Sequence, residues 1–233
     1  MRKNLKIEIL LFLTVISIIT IIPVLTINPT TYPYDENFSE IVSELKTSAT
    51  SYKKLTIYYV TDGSYDYSQA DSVVHKAAAQ IESDVPEIDI SVVGCGAVWD
   101  TSDLTVYYAY VLWIKYPYFD AYEAIDDLRD DFKSKSWLSD TSTTLKKLVG
   151  FTKRMNHNGI GQQPGKFSVT ASMSTPGNAN WQDYAVVKHE LGHNFGCGHD
   201  SSYCIMNYFW AFTTPDVCYC SGCENDILAH FQI

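Results

Sequence analysis

The string His189-Glu190-Leu191-Gly192-His193-Asn194-Phe195-Gly196-Cys197-Gly198-His199 restricts this chain more than any other feature. On a helix, residues four apart project from one face, about 40° out of line, so His189 and His193 can aim ring nitrogens at a common point. His199 stands further on, where a continuing helix would carry it away from that point. The chain must therefore break and fold back, and Gly196 can do this because glycine takes a positive φ at a helix C-terminus without a Cβ clash. Glu190 follows the first histidine and points close to a metal at that point but off its coordination axis, where a carboxylate can accept a proton from water. Three neutral imidazoles with one position left open make the donor set of a catalytic zinc, whereas a structural zinc is closed by four ligands. The competing reading is a histidine-rich helix end without metal, but five specified residues in this order are too many for coincidence.

Downstream, Cys204-Ile205-Met206-Asn207-Tyr208 supplies a second motif. The two motifs together resemble the metzincin clan of zinc metallopeptidases. The resemblance implies a mixed α/β fold, with an upper twisted mixed sheet plus helices and a small C-terminal subdomain. It also implies one catalytic Zn²⁺ held by His189, His193 and His199, Glu190 as the catalytic base, and Met206 packed beneath the metal. HELGHNFGCGHD followed by Cys204-Ile205-Met206 is similar to the adamalysin and reprolysin branch, in which Asp follows the third histidine. Tyr208, two places after Met206, instead resembles the astacin and serralysin pattern. That match implies a catalytic tyrosine supporting the oxyanion, with plain packing as the alternative. Cys204 with Cys220 and Cys223 resembles archaemetzincins, which hold a second zinc with cysteines, although Asp200 stands where that family has cysteine. A carboxylate beside the third histidine is expected to brace the site by hydrogen bonding to the Met206 turn or another element.

The implied activity is metalloendopeptidase hydrolysis of peptides or proteins. The alternative is a catalytically silent extracellular binding module on the same fold, and retention of all three histidines and Glu190 argues against it. A formal charge of -10 excludes nucleic acid as a partner, because that role needs concentrated Lys and Arg. The acidic run Asp126 to Asp131 lacks the glycine and ligand spacing of a calcium loop and reads as a solvated helix face.

Arg2, Lys3 and Lys6 precede an apolar stretch from Ile7 to Ile27 that is long enough to cross a bilayer. Residues 1–27 are expected to be a signal peptide or a retained anchor, and either one places residues 54–233 outside the cytoplasm. Residues 28–53 read as a tether with a glycan acceptor at Asn37. Within the domain, strands are expected at 55–60, 88–93, 104–115, 145–152 and 167–172, with helices at 68–82, 119–133 and 224–231. The helix bearing His189 is expected to start after Asn180 as cap, with Tyr184, Val187, Leu191 and Phe195 as its apolar stripe. Six cysteines in an exported chain lead to an expectation of disulfides, with a structural metal on Cys197, Cys204, Cys220 and Cys223 as the alternative. His75, His157 and His230 each stand alone in sequence and carry no site. The aromatic run Tyr208, Phe209, Trp210 and Phe212 is expected to line the primary substrate pocket.

Overall fold

The computed structural model describes residues 52–111, 113–174, 182–214 and 216–231. The apolar stretch 7–27, nearly all of the tether, the Asn37 sequon and the Asn180 cap lie outside these residues. Among the described residues, no helix is long and apolar enough to cross a membrane.

A five-stranded sheet in the order β2-β1-β5-β7-β6 forms the frame. Its members are β1 (Lys53–Thr61), β2 (Ile88–Gly94), β5 (Thr144–Met155), β6 (Gly159–Gly161) and β7 (Phe167–Ser174). All neighbours are parallel except β6, which runs antiparallel to β7 at the sheet's edge. The parallel part follows from β-α-β order: helix α1 (Tyr67–Asp84) returns the chain from β1 to β2. Side chains alternate across the strands, so Leu55, Ile57, Tyr59, Val149 and Phe151 face one core. Val60 and Leu148 face the other. The first core also takes in α1 and the helix α3 (Asp183–Asn194). The second is covered by α2 (Ala121–Phe132), whose Ala121, Ala124, Ile125, Leu128 and Phe132 recur at helical spacing.

Three sequence expectations change. The run 104–115 is not one strand but the start of a hairpin, β3 (Tyr107–Val111) with β4 (Ile114–Tyr118). The reversal passes Trp113 at φ 71°, a left-handed conformation that aromatic composition does not announce. Helix α3 begins after Gln182, which makes no side-chain cap bond, and Asp183 instead accepts from the Tyr65 hydroxyl. Finally, α3 carries more than one apolar stripe. Every residue from Tyr184 to Asn194 is buried, which marks a helix enclosed by protein on all sides.

One of those buried residues is charged. Lys188 forms an ion pair with Asp84 at the end of α1, 2.7 Å away, and donates to the Val217 carbonyl at 2.9 Å. The Tyr219 hydroxyl donates in turn to the Lys188 carbonyl. A buried ammonium is tolerable only with such partners, and together they tie α3 to α1 and to the C-terminal segment. That segment holds two short helices, α4 (Tyr208–Thr213) and α5 (Ser221–His230).

Candidate active site

Helix α3 ends in a Schellman arrangement. The Cys197 N–H donates to the Gly192 carbonyl at 3.0 Å, and the Gly196 N–H donates to the His193 carbonyl at 2.8 Å. Gly196 has φ 99°, as the spacing of the histidines requires. The Gln163 side chain braces this turn by donating to the carbonyls of Gly196 and Cys197.

The turn brings His199 back to the helix. Ring nitrogens of His189, His193 and His199 all lie within 4.8 Å of one another, and the Nε2 atoms of His193 and His199 are 3.1 Å apart. A tetrahedral zinc with Zn–N bonds of about 2.0–2.1 Å would place its nitrogens about 3.3 Å apart, so the donor set fits that ion. Two rings are aimed by main-chain carbonyls. His189 Nδ1 lies 2.8 Å from the Ile205 carbonyl, and His193 Nδ1 lies 2.9 Å from the Cys197 carbonyl. A carbonyl oxygen only accepts, so each Nδ1 carries the proton and each Nε2 presents a lone pair. Burial keeps the rings neutral. It lowers His189 to about 3 against the opposing Ile205 hydrogen bond, with the neighbouring histidines adding to the shift. His193 and His199 are lowered mainly by burial as well.

Glu190 lies beside this group beneath β6 and is 6% exposed. Burial pushes its carboxyl up to about 8. Met206 packs under the helix against Gly192, where a Cβ would stand 2.4 Å from its sulfur. The small residue inside the motif is therefore what lets the Met206 turn approach. Tyr208 opens α4 with its ring centroid 4.3 Å from that of His199 and 5.2 Å from that of His189. Burial, then the charges of Glu190 and Tyr122, raise its hydroxyl pKa. Phe209 is exposed, and Trp210 packs edge-on against Tyr203. The Phe212 side chain lies outside the described part.

Asp200 braces the turn mainly through its backbone, whose N–H donates to the Met206 carbonyl at 3.2 Å. Its carboxylate accepts from the Ser202 N–H and from Cys220 Sγ, the latter at 3.2 Å. The expectation of disulfides is not met, since all six cysteines are free. Cys204, Cys220 and Cys223 instead form a cluster, with Sγ separations of 3.7 Å and 3.5 Å from Cys223 to the other two. A disulfide needs about 2.05 Å. Thiolates on a tetrahedral zinc at about 2.3 Å sit about 3.8 Å apart, so these sulfurs have metal-site spacing. Cys197, the fourth member of the sequence reading, stands outside this group of three, with its thiol donating to the Cys223 carbonyl.

Other histidines have partners that sequence did not reveal. His75 lies 3.6 Å from Asp71, His157 packs edge-on to Tyr122, and His230 Nε2 lies 3.1 Å from the buried Lys147 ammonium. Lys147 also donates to the Asn194 carbonyl at the end of α3, and burial lowers its pKa to about 7. Neither Lys147 nor Lys188 was foreseen. Nothing local in the sequence marks them, since Lys147 follows Lys146 and Lys188 precedes His189 and Glu190.

A family model described as metallo-peptidase family M12 matches residues 24–227, and the chain belongs to that family. No curated protein matches. Among solved structures, the chain is similar to metalloproteinase-II from Bacteroides fragilis, with TM-score 0.53 and 12% identity over 80% of this chain and 55% of that one. It also matches archaemetzincin from Methanopyrus kandleri, with TM-score 0.46 and 17% identity over 80% of this chain and 99% of that one. The protein is thus a metallopeptidase on a mixed α/β fold, and the histidine trio is its candidate metal site.

The buried carboxyl gives a stability signature in metal-free protein. Its pKa rises from 4.5 to about 8 on folding, so the folded state loses stability as pH climbs between those values. Glu190→Gln removes that loss. The advantage of the variant over wild type, measured by urea unfolding, should grow by on the order of 2 kcal/mol from about pH 5 to 7. A difference independent of pH would show that the carboxyl is not desolvated.

Proposed function

We propose that the protein is a zinc-dependent endopeptidase working outside the cytoplasm. The observation that carries this reading is the convergence of His189, His193 and His199 beside a desolvated Glu190. His189, His193 and His199 would hold the zinc, which would supply a Lewis acid for activating water and polarising a carbonyl oxygen. Glu190 accepts the proton of the attacking water and delivers it to the departing amine. Tyr208 donates its hydroxyl to the carbonyl oxygen as negative charge develops there. The α3 ring ligands hold their tautomers through the Ile205 and Cys197 carbonyls, so the site needs little reorganisation.

An extended substrate adds to the free edge of β6. Asn158 and Gln162 bond to β7 through their main chains, so the alternation of an antiparallel ladder turns the N–H and C=O of Gly159 and Gly161 outward. Those groups are available to a peptide of any sequence. Side-chain selection falls to the pocket beside Tyr208 and Phe209. The adamalysin-like residues 189–200 and the apolar stretch behind Arg2, Lys3 and Lys6 support an enzyme facing outward, secreted or membrane-anchored. A silent binding module is disfavoured because, among the described residues, no side chain pairs with the Glu190 carboxyl to explain its burial beside three histidines.

In this reading the three sulfurs of the cluster would hold a second metal, one protein donor short of a four-ligand structural zinc. Elemental analysis of reduced protein should find more than one zinc, with Cys220→Ser losing the second and keeping the first. Equal zinc in both would remove that ion.

Hydrolysis of casein tests the main proposal. Glu190→Gln should abolish it with the catalytic zinc retained, and Tyr208→Phe should lower kcat roughly 10²-fold, as loss of one oxyanion donor does elsewhere. Undiminished hydrolysis by Glu190→Gln would overturn the assignment of the base, and an unchanged kcat in Tyr208→Phe would leave the tyrosine as packing.

A further inference from the structure

The edge strand β6 has glycine at two of its three positions, and both face the same way because side chains two apart in a strand share a face. That face is turned towards α3. A Cβ on Gly159 would stand 2.6 Å from Val186 Cγ1 and 2.7 Å from both Cγ and Oε1 of Glu190. A Cβ on Gly161 would stand 2.5 Å from the Glu190 carbonyl oxygen and 3.2 Å from Oε2. Neither glycine has a positive φ, so the backbone would accept alanine and the requirement is one of space.

We propose that Gly159 and Gly161 are positioning residues for the catalytic base, forming a slot that seats the Glu190 carboxylate under the strand edge to which substrate adds. The inference rests on the peptidase reading above and deepens it. Two contacts define the slot, and they differ in kind. At Gly159 the neighbours are side-chain atoms, which can move, so an added methyl would drive the Glu190 side chain out of place and leave the helix where it is. At Gly161 the nearest atom is main chain, so an added methyl would have to displace the strand or α3 itself. The same two residues offer their N–H and C=O to the free edge. A single pair of bare Cα positions therefore sets the distance between the base and a substrate main chain paired to β6. Val186 closes the slot from the helix side.

Gly159→Ala in the full-length, zinc-loaded protein is the test. The expected result is a kcat per bound zinc lowered on the order of 10²-fold, the cost of misplacing a reacting group by about an ångström. KM, zinc content and thermal midpoint should stay near wild type. Gly161→Ala should instead lose zinc and stability along with activity. A wild-type kcat per zinc in Gly159→Ala overturns the proposal. If that variant does not fold, Val186→Ala, which widens the same slot, should lower kcat with zinc retained, and an unchanged kcat there overturns it equally. The crystal structure of Gly159→Ala gives a readout independent of hydrolysis. Glu190 should have swung out from β6 with the three imidazoles in place, and a carboxylate left in its seat with the strand pushed away would be decisive against the slot. Wild-type protein that cleaves no peptide would sink the peptidase reading, while the slot would still be judged by that structure.

Discussion

The return of the chain after α3 is the constraint on which the site depends. Helix geometry alone gathers two imidazoles, and the third arrives because Gly196 takes φ 99° and lets the backbone double back within three residues of Asn194. The same turn serves a second purpose. Its Cys197 carbonyl accepts a hydrogen bond from His193 Nδ1, so the cap that ends the helix also sets the tautomer of a ring on it. The Ile205 carbonyl does this for His189 from the Met206 turn. Both rings are aimed by backbone, which has few alternative positions once the fold has formed.

Holding such a turn steady requires a helix that cannot shift. Helix α3 is enclosed on all sides, and its lysine reaches Asp84 on α1 through a buried pair. Removing Asp84 alone would leave an uncompensated buried cation, a defect that typically costs about 3–5 kcal/mol. Below the helix, Gly192 admits Met206; above it, Gly159 and Gly161 admit Glu190. Three close approaches of glycine backbone, two to side chains and one to the Glu190 main chain, thus converge on one stretch of α3. In each, hydrogen replaces a side chain where the chemistry needs two elements nearer than ordinary packing allows.

The gathering of the three histidines beside Glu190 was legible from the spacing of a few chemically distinctive residues, and the mixed sheet from the family resemblance those residues carry. His189, Glu190, His193, Gly196 and His199 needed no long-range information. What was not legible came from contacts between distant segments. Strand β6 is three residues long and glycine-rich, so its sequence reads as loop, and only its pairing with β7 and its nearness to Glu190 reveal it. The burial of Lys147 and Lys188 is intelligible only from their acceptors, carbonyls 47 and 29 positions away. The cysteines misled for a related reason: composition favoured oxidation to disulfides, whereas the fold holds three sulfurs at separations suited to a shared ion.

Anomalous diffraction at the zinc absorption edge, from crystals of the protein grown with zinc, tests the central claim most directly. One peak about 2.0–2.1 Å from Nε2 of His189, His193 and His199, with solvent as the remaining ligand, is the result expected from this arrangement. Absence of a peak there, or a fourth protein donor closing the coordination sphere, would contradict it.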